Sequence, residues 1–162
     1  MMNRRFASGF TIVELMIVVF LLGIVAAIAL PGFTQLINNN RTQSAANELA
    51  SLLQFTRTSA LTHRMTMTAC YNSSKREWSV RRDCDENDAL RMLEMPSGVN
   101  AALAKDEIAF RYNGSVANQD IVLCHGSDAA NGYTLHLLPT GMVHLLPRGK
   151  TSDDKDMAKC SL

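Results

Sequence analysis

The chain has 162 residues, 47% of them hydrophobic, which is enough for one soluble domain plus an appendage. Its formal net charge is +1, so overall charge does not predict a nucleic-acid-binding protein, and only local basic clusters need separate judgement. Without Arg4 and Arg5 the chain would have 14 basic and 15 acidic residues, a net charge of −1.

The first apolar segment covers residues 10–30, and Glu14 is its only charged residue. At about 1.5 Å per helical residue, the segment spans roughly 30 Å, which is the thickness of a bilayer core. Arg4 and Arg5 precede it, and the first basic residue after it is Arg41. The positive-inside rule therefore predicts a cytoplasmic N-terminus and a translocated remainder.

Glu14 is a costly residue in this position, because a charge at that depth costs about 3 kcal/mol on insertion scales. Such a residue normally has a partner, and we expect the partner to belong to another copy of the same kind of protein. A secretory signal peptide and a plain membrane anchor are the alternatives. The Ala-rich end at residues 26–29 is a weak match to a signal cleavage site, and a plain anchor does not account for Glu14.

A long helix is predicted from Phe10 to about Thr62. Its first half is apolar all round, and Pro31 predicts a kink or a break, because proline lacks an N–H and clashes with the preceding turn. The helical pattern then resumes with one apolar face to bury. The residues of that face recur at spacings of three and four: Ala45, Leu49, Leu52, Leu53, Thr56 and Ala60.

Short strands are predicted after His63, separated by turn residues such as those at 72–75 and Asn113-Gly114. The predicted strands are 65–71, 77–82, 90–95, 107–112, 121–125, 133–138 and 142–146. The first two form a hairpin. We therefore predict an α+β fold in which the amphipathic half of the helix packs on one antiparallel sheet of about five to seven strands. The polar tail at residues 147–162 is predicted to be irregular.

Four cysteines, Cys70, Cys84, Cys124 and Cys160, lie on the predicted translocated side. They contain no Cys-x-x-Cys pair, so neither a zinc site nor a thioredoxin-type motif is indicated. An even count in an oxidising compartment favours two disulfides over free buried thiols. Three connectivities are open. We prefer Cys70–Cys84, which would close the hairpin, and Cys124–Cys160, which would hold a tail of little apolar content.

The N-terminal segment resembles that of type IV pilins and pseudopilins. The matching residues are Gly9-Phe10-Thr11-Ile12-Val13-Glu14-Leu15, the apolar run to Leu30, and Pro31. The helix segments 41–49 and 52–60 and the strand pair around Pro139-Thr140-Gly141 are similar to the minor pilin branch called the GspH/FimT family. The helix pattern extends the likeness to about residue 64, and beyond that point the likeness is architectural.

The resemblance implies the type IV pilin fold and a processing pathway. A prepilin peptidase would remove a leader at residues 1–9 by cutting after Gly9, and the new Phe10 amine would be N-methylated. Residues 10–30 would then form the transmembrane and assembly helix, and residues 31–162 a periplasmic globular domain.

The resemblance also implies a role for the carboxylate in the apolar helix. Glu14 would be the fifth residue of the mature chain and would set the registry between subunits. A buried carboxylate needs a compensating cation, and the free Phe10 amine of a neighbouring subunit can supply it.

The implied function is that of a minor pilin of a type IV pilus, which stays in the inner membrane until it is incorporated at or near the pilus tip to support assembly and motility. Its partners would be other pilins, the prepilin peptidase and the inner membrane. The resemblance implies no cofactor. Within the family, a type II secretion pseudopilin and a DNA-capture pilin for natural transformation are alternatives. Outside the family, the alternative is a simple anchored periplasmic binding domain.

Two basic groups are candidates for DNA binding. The first follows the last predicted strand: Arg148 and Lys150. The second lies on the predicted hairpin: Lys75, Arg76, Arg81 and Arg82. Alternation along a strand places Arg81 and Arg82 on opposite faces, which divides the second group. Phosphate binding scales with the number of cations presented together, so we expect solvated surface charge to account for these residues better.

Metal and catalytic sites have little support. The four histidines, His63, His125, His136 and His144, show no metal-ligand spacing, although the last two lie on adjacent predicted strands. The acidic loop that begins at Asp83 lacks the turn glycine of a calcium loop. The sequence contains no Gly-x-Ser-x-Gly motif and no phosphate-binding loop. We therefore predict neither a metal site nor an enzyme.

Overall fold

The computed structural model describes residues 10–162. The predicted leader at residues 1–9, with the cleavage residue Gly9, lies outside the described residues. The chain divides into two compact units, Met1–Ile37 and Asn38–Leu162. The second unit holds all the strands and both disulfides.

Helix α1 covers Ile12–His63, and all of its 52 residues are helical without interruption. The helix continues through Pro31, so the break considered there is wrong, while the kink stays a prediction. The helix ends in a Schellman motif, in which Arg64 takes a left-handed φ of 52° and the Met65 N–H donates to the Ala60 carbonyl at 3.3 Å. This turn leads the chain from the helix into the first strand.

The second half of α1 buries the predicted apolar face. Leu49, Leu52, Leu53 and Ala60 are fully buried, and the Thr56 hydroxyl is satisfied by donating to the Leu52 carbonyl at 2.8 Å. Residues off this face stay exposed: Asn47, Glu48, Ser51 and Gln54. The predicted amphipathic face is therefore confirmed. Each buried leucine stabilises the unit by roughly 1.5–3 kcal/mol relative to an exposed one.

Eight strands follow α1 in the described part of the chain, and every pairing between them is antiparallel. They are β1 Met67–Asn72, β2 Glu77–Arg81, β3 Arg91–Glu94, β4 Val99–Leu103, β5 Glu107–Phe110, β6 Gln119–His125, β7 Tyr133–Leu137 and β8 Val143–Leu145. They form two four-stranded sheets: sheet A has the order β3-β2-β1-β5 and sheet B the order β4-β6-β7-β8. The prediction of one sheet is therefore wrong, while the α+β class and the antiparallel pairing are confirmed.

Strand β4 was not predicted from the sequence. It reads Val-Asn-Ala-Ala-Leu, and alanine and asparagine are depleted in strands, so its composition carries no strand signal. Gly98, with a left-handed φ of 84°, turns the chain between β3 and β4. The strand then pairs with β6, so the chain has left sheet A for sheet B.

One polar side chain connects sheet A to β4. Nη2 of Arg76 donates to the carbonyls of Pro96 and of Val99, the latter at 3.5 Å. Burial raises the pKa of the nearby Tyr71 hydroxyl above its ordinary value, and the guanidinium of Arg76 partly opposes that shift. The first carbonyl of β4 is thereby supplied with a side-chain partner.

Arg57 of α1 holds two turns together. Its Nε donates to the Gly114 carbonyl at 3.3 Å, and its Nη2 donates to the Thr140 carbonyl at 3.1 Å. Gly114 follows β5, and Thr140 lies between β7 and β8. Gly141 has a φ of 81°, and a Cβ atom there would lie 1.9 Å from the Gly114 carbonyl oxygen, so this position requires glycine. One helical side chain therefore joins the ends of both sheets.

Replacing Arg57 with alanine should lower the free energy of unfolding by about 1–3 kcal/mol, because two turn carbonyls lose their donor. Denaturant unfolding of the full chain in detergent, followed by circular dichroism, measures this change. The matched control is Arg148→Ala, which removes an exposed arginine and should change stability by less than about 0.5 kcal/mol. Equal losses in the two variants would contradict the bridging role of Arg57.

The four cysteines form two disulfides, Cys70–Cys84 and Cys124–Cys160, and these are the pairs preferred from the sequence. The first joins β1 to the loop after β2, within sheet A. The second joins β6 of sheet B to the C-terminal tail. Each sheet therefore carries its own covalent link.

The tail at residues 147–162 contains no helix or strand, which confirms the irregular conformation predicted for it. It is held by more than its disulfide. Met157 is buried against Val122 and Cys124, and the Thr134 hydroxyl donates to the Lys150 carbonyl at 2.8 Å. The tail has little apolar content, as expected, and its one methionine packs against β6 in addition to the disulfide.

The two disulfides should differ in their effect on stability. Their sequence separations are 36 for Cys124–Cys160 and 14 for Cys70–Cys84. Loop-closure entropy predicts that a double alanine variant of the longer loop loses about 0.8 kcal/mol more than the same change in the shorter loop. Unfolding of both double variants under one set of conditions gives the comparison, and a larger loss for the shorter loop would refute the entropic account.

Candidate assembly site

The N-terminal half of α1 presents an apolar surface. Its large hydrophobic side chains between Phe10 and Ile37 keep 44–80% of their area exposed. The helix is long and apolar enough to cross a membrane, as judged by length and composition. The first compact unit therefore offers an apolar surface that suits lipid or other apolar helices.

This apolar surface extends beyond the predicted span of residues 10–30. Phe33, Leu36 and Ile37 are 62%, 54% and 47% exposed, and their spacing of three and one places them on one face of the helix. Residues 12–37 would measure about 39 Å at 1.5 Å per residue, which exceeds a bilayer core of about 30 Å. The first compact unit ends at Ile37. The apolar surface is therefore longer than a simple membrane span requires.

Thr11 begins the helix at its N-terminal end. Its hydroxyl accepts the Glu14 N–H at 3.2 Å, and its carbonyl accepts the Leu15 N–H at 3.1 Å. These contacts make Thr11 the N-cap residue, and the Thr-x-x-Glu spacing is that of a capping box. Sequence reasoning assigned Glu14 a role in registry between subunits but missed the local contact with Thr11, although the Thr-x-x-Glu spacing indicates it.

Glu14 lies in the first turn of α1, where the helix dipole favours an acidic side chain. The side chain is exposed, and so is Phe10, which precedes the first helical residue and is 80% exposed. Within residues 10–162 the ion pairs are formed by other residues: His136–Asp120, Lys150–Asp156 and Lys155–Asp153. The carboxylate of Glu14 is therefore accessible to a cation from outside this part of the chain.

Three of the six cations considered for DNA binding make contacts within the protein. Arg76 donates to backbone carbonyls between sheet A and β4, as described above. Nε of Arg81 donates to the Ser79 hydroxyl at 3.0 Å, and its Nη1 donates to the Glu86 carbonyl. Nζ of Lys150 lies 3.0 Å from the Asp156 carboxylate. The hydrogen bond to that carboxylate, with its charge, raises the pKa of Lys150.

The other three cations, Lys75, Arg82 and Arg148, are exposed. Lys75 and Arg82 lie next to β2 in sheet A, whereas Arg148 follows β8 of sheet B. The three exposed cations of this set are therefore divided between two sheets, whereas strong phosphate binding depends on cations presented together.

A polar cluster lies on sheet B. Nδ1 of His136 is 2.5 Å from the Asp120 carboxylate, and the Ser152 hydroxyl donates to the other oxygen of that carboxylate at 2.7 Å. His144 is the direct cross-strand neighbour of His136. Ser152 contacts the aspartate and not the histidine, so the geometry is not that of a nucleophilic triad. Among residues 10–162 no group of three His, Cys, Asp or Glu residues is arranged to hold a metal.

Comparison with solved structures gives the fold. The chain is similar to the type IV minor pilin FimU of Pseudomonas aeruginosa, with a TM-score of 0.65 and 20% identity over 75% of this chain and 96% of that one. It is also similar to the minor pseudopilin EpsH of the type II secretion system of Vibrio cholerae, with a TM-score of 0.51 and 9% identity over 65% of this chain and 96% of that one. These likenesses establish the type IV pilin fold.

Comparison of sequences gives the family. A 44-residue segment is 49% identical to the type IV major alpha-pilin of Moraxella bovis, and the match spans only 28% of the length of that relative and 27% of this chain. The prokaryotic N-terminal methylation motif matches residues 4–30, and the model of the type II transport protein GspH matches residues 45–141. The chain therefore belongs to the GspH family, with an N-terminal methylation motif and the type IV pilin fold.

Proposed function

We propose that the chain is a minor pilin of a type IV pilus, cut between Gly9 and Phe10 by a prepilin peptidase and incorporated at or near the pilus tip. The observation that carries this proposal is Glu14, which lies in the first turn of a helix whose large apolar side chains are exposed as far as Ile37. A surface of this kind needs lipid before assembly and other helices after it.

The proposed mechanism uses the N-terminal end of α1. Cleavage converts the Phe10 nitrogen from an amide into an amine, which is charged at neutral pH, and N-methylation retains that charge. Inside a bundle of apolar helices, the amine of one subunit would neutralise the Glu14 carboxylate of its neighbour. The Thr11 cap fixes the first turn, so the carboxylate is held at a defined height along the helix. Only a subunit docked in register would satisfy both charges.

The globular unit would supply the outward surface of the subunit. Its two disulfides and the Arg57 bridge suit a domain that folds after export and then resists mechanical load on the fibre. Residues 31–162 would form this periplasmic part, and residues 10–30 the membrane span before assembly.

Replacing Glu14 with alanine should leave membrane insertion intact and reduce incorporation into pili at least tenfold. The reason is that an amine buried without its partner costs about 3–5 kcal/mol. The measurement is the ratio of the variant in sheared pili to the variant in the membrane fraction, determined by immunoblot. Sequencing of the mature N-terminus should give N-methylated Phe10 for both the variant and the wild type.

The matched control is Glu48→Ala, which removes an exposed glutamate from the second half of the same helix and should leave incorporation unchanged. Normal incorporation of the Glu14 variant would refute the registry role. An uncut N-terminus in the wild type would instead support the simple anchored domain.

A type II secretion pseudopilin is the second candidate within the family, and the GspH family model supports it by its description as a type II transport protein. The registry chemistry of Glu14 would be the same in both assemblies. Loss of protein secretion with intact pili in a deletion strain would favour this candidate over a pilus subunit.

DNA capture is supported less, because Arg76, Arg81 and Lys150 are engaged in contacts within the chain. We expect the full chain in detergent to give no electrophoretic shift of double-stranded DNA at about 0.15 M salt, where phosphate contacts are screened. There are two controls. One repeats the titration at about 0.02 M salt, and the other uses the double variant Arg82→Ala/Arg148→Ala. A shift that persists at the higher salt and weakens in this variant would contradict the expectation.

A further inference from the structure

The two disulfides differ in what surrounds them. An open cavity of about 690 Å³ lies beside sheet A, and Cys70 and Cys84 both line it. Cys70 is only 8% exposed in β1, whereas Cys84 is half-buried in the loop after β2. A molecule that enters the cavity therefore meets the first disulfide, and Cys84 is the more exposed of its two residues.

The second disulfide is covered at one of its sulfurs. Cys124 is 1% exposed, and its Sγ lies 3.9 Å from Sδ of Met157. A Cβ atom at Gly132 would lie 2.8 Å from the same sulfur, so the chain is packed closely there as well. Attack at the half-buried Cys160 would leave the negative charge on Cys124, in an apolar cluster with Val122. A thiolate in such surroundings is a poor leaving group, because burial raises its pKa.

The cavity beside the first disulfide carries charges of both signs. Three cations and three carboxylates line it: Lys75, Arg81, Lys105, Glu77, Asp106 and Glu107. Within residues 10–162 the ion pairs are formed by other residues, so these six charges are not consumed by pairing with one another. A lining of this kind complements a ligand that has both ammonium and carboxylate groups. Thiols derived from amino acids, such as cysteine and glutathione, have both groups next to the sulfur.

We propose that the Cys70–Cys84 disulfide is a site of thiol–disulfide exchange with a small thiol of the amino-acid type. The thiolate of that molecule attacks Sγ of Cys84, and a new S–S bond forms between the two as the Cys70–Cys84 bond breaks. The electron pair of the broken bond leaves on Sγ of Cys70, which then takes up a proton from water. Cys70 stays next to the mixed disulfide, so its return attack restores the native bond and releases the thiol.

Exchange at this site is a local event and does not depend on the proposed function of the chain. The loop that this disulfide closes is short, with a sequence separation of 14, so opening it costs the fold less than opening the longer loop. Two hydrogen bonds still hold the segment after β2. The Thr68 hydroxyl donates to the Arg82 carbonyl at 3.2 Å, and Nη1 of Arg81 donates to the Glu86 carbonyl. We therefore expect the fold to persist when Cys84 is modified.

The experiment incubates the oxidised full chain in detergent with reduced glutathione and stops the reaction with N-ethylmaleimide. Peptide mapping by mass spectrometry should find glutathione on Cys84, maleimide on Cys70, and an intact Cys124–Cys160 bond. We expect the first disulfide to open at least tenfold faster than the second, with an unchanged circular dichroism spectrum. Equal or faster opening of the second disulfide would overturn the proposal, and so would glutathione on Cys70 in place of Cys84.

Replacing Lys75 with glutamine tests the class of thiol. Lys75 is exposed and lines the cavity, so its loss should slow opening by glutathione at least threefold and leave opening by uncharged β-mercaptoethanol unchanged. The matched control is Lys155→Gln, which removes an exposed lysine from the tail and should change neither rate. Equal slowing with both thiols, or no slowing with glutathione, would overturn the assignment to amino-acid thiols.

Discussion

The structure depends on one continuous helix that meets two different environments. Over residues 12–37 the large apolar side chains of α1 are exposed, whereas from Ala45 to Ala60 the apolar residues on one face are buried in the core of the second unit. The width of the apolar surface changes along the helix, which stays helical through Pro31. The exposed apolar surface and the buried apolar face are therefore two consecutive parts of one helix.

Two half-buried arginines connect segments of the chain that are distant in sequence. Arg57 supplies donors to the turns after β5 and β7, and Arg76 supplies donors to the edge of β4. A guanidinium offers several donors in a fixed plane, so one side chain can satisfy carbonyls that belong to different sheets. On the β1–β2 hairpin this contact engages Arg76 with backbone carbonyls, so one of the four cations there is used within the protein. Local charge counts overstate the charge that is available to a partner.

The sequence was sufficient for the elements whose signal is local. The apolar face of α1, the β1–β2 hairpin and seven of the eight strands follow from periodicity and turn residues. The division into two sheets could not be predicted, because strand periodicity does not tell which strands pair, and the Ala-rich β4 has no strand signal of its own. The roles of Arg57 and Arg76 were also beyond prediction, since their carbonyl partners are distant in sequence. The Thr11 cap, by contrast, could have been predicted from the Thr-x-x-Glu spacing of Thr11 and Glu14.

The placement of the disulfides has a consequence for the order in which the four thiols become available, because a chain is synthesised from its N-terminus. Cys70 and Cys84 lie only 14 residues apart, so both become available to an oxidant before any strand of sheet B has been made. Cys124 must wait a further 36 residues for Cys160. If Cys124 were oxidised before Cys160 is made, while Cys70 and Cys84 are still free thiols, it would pair with one of those two residues. Synthesis from the N-terminus favours the native pairing only if the Cys70–Cys84 disulfide has already formed. Its two thiols are then no longer available to react with Cys124.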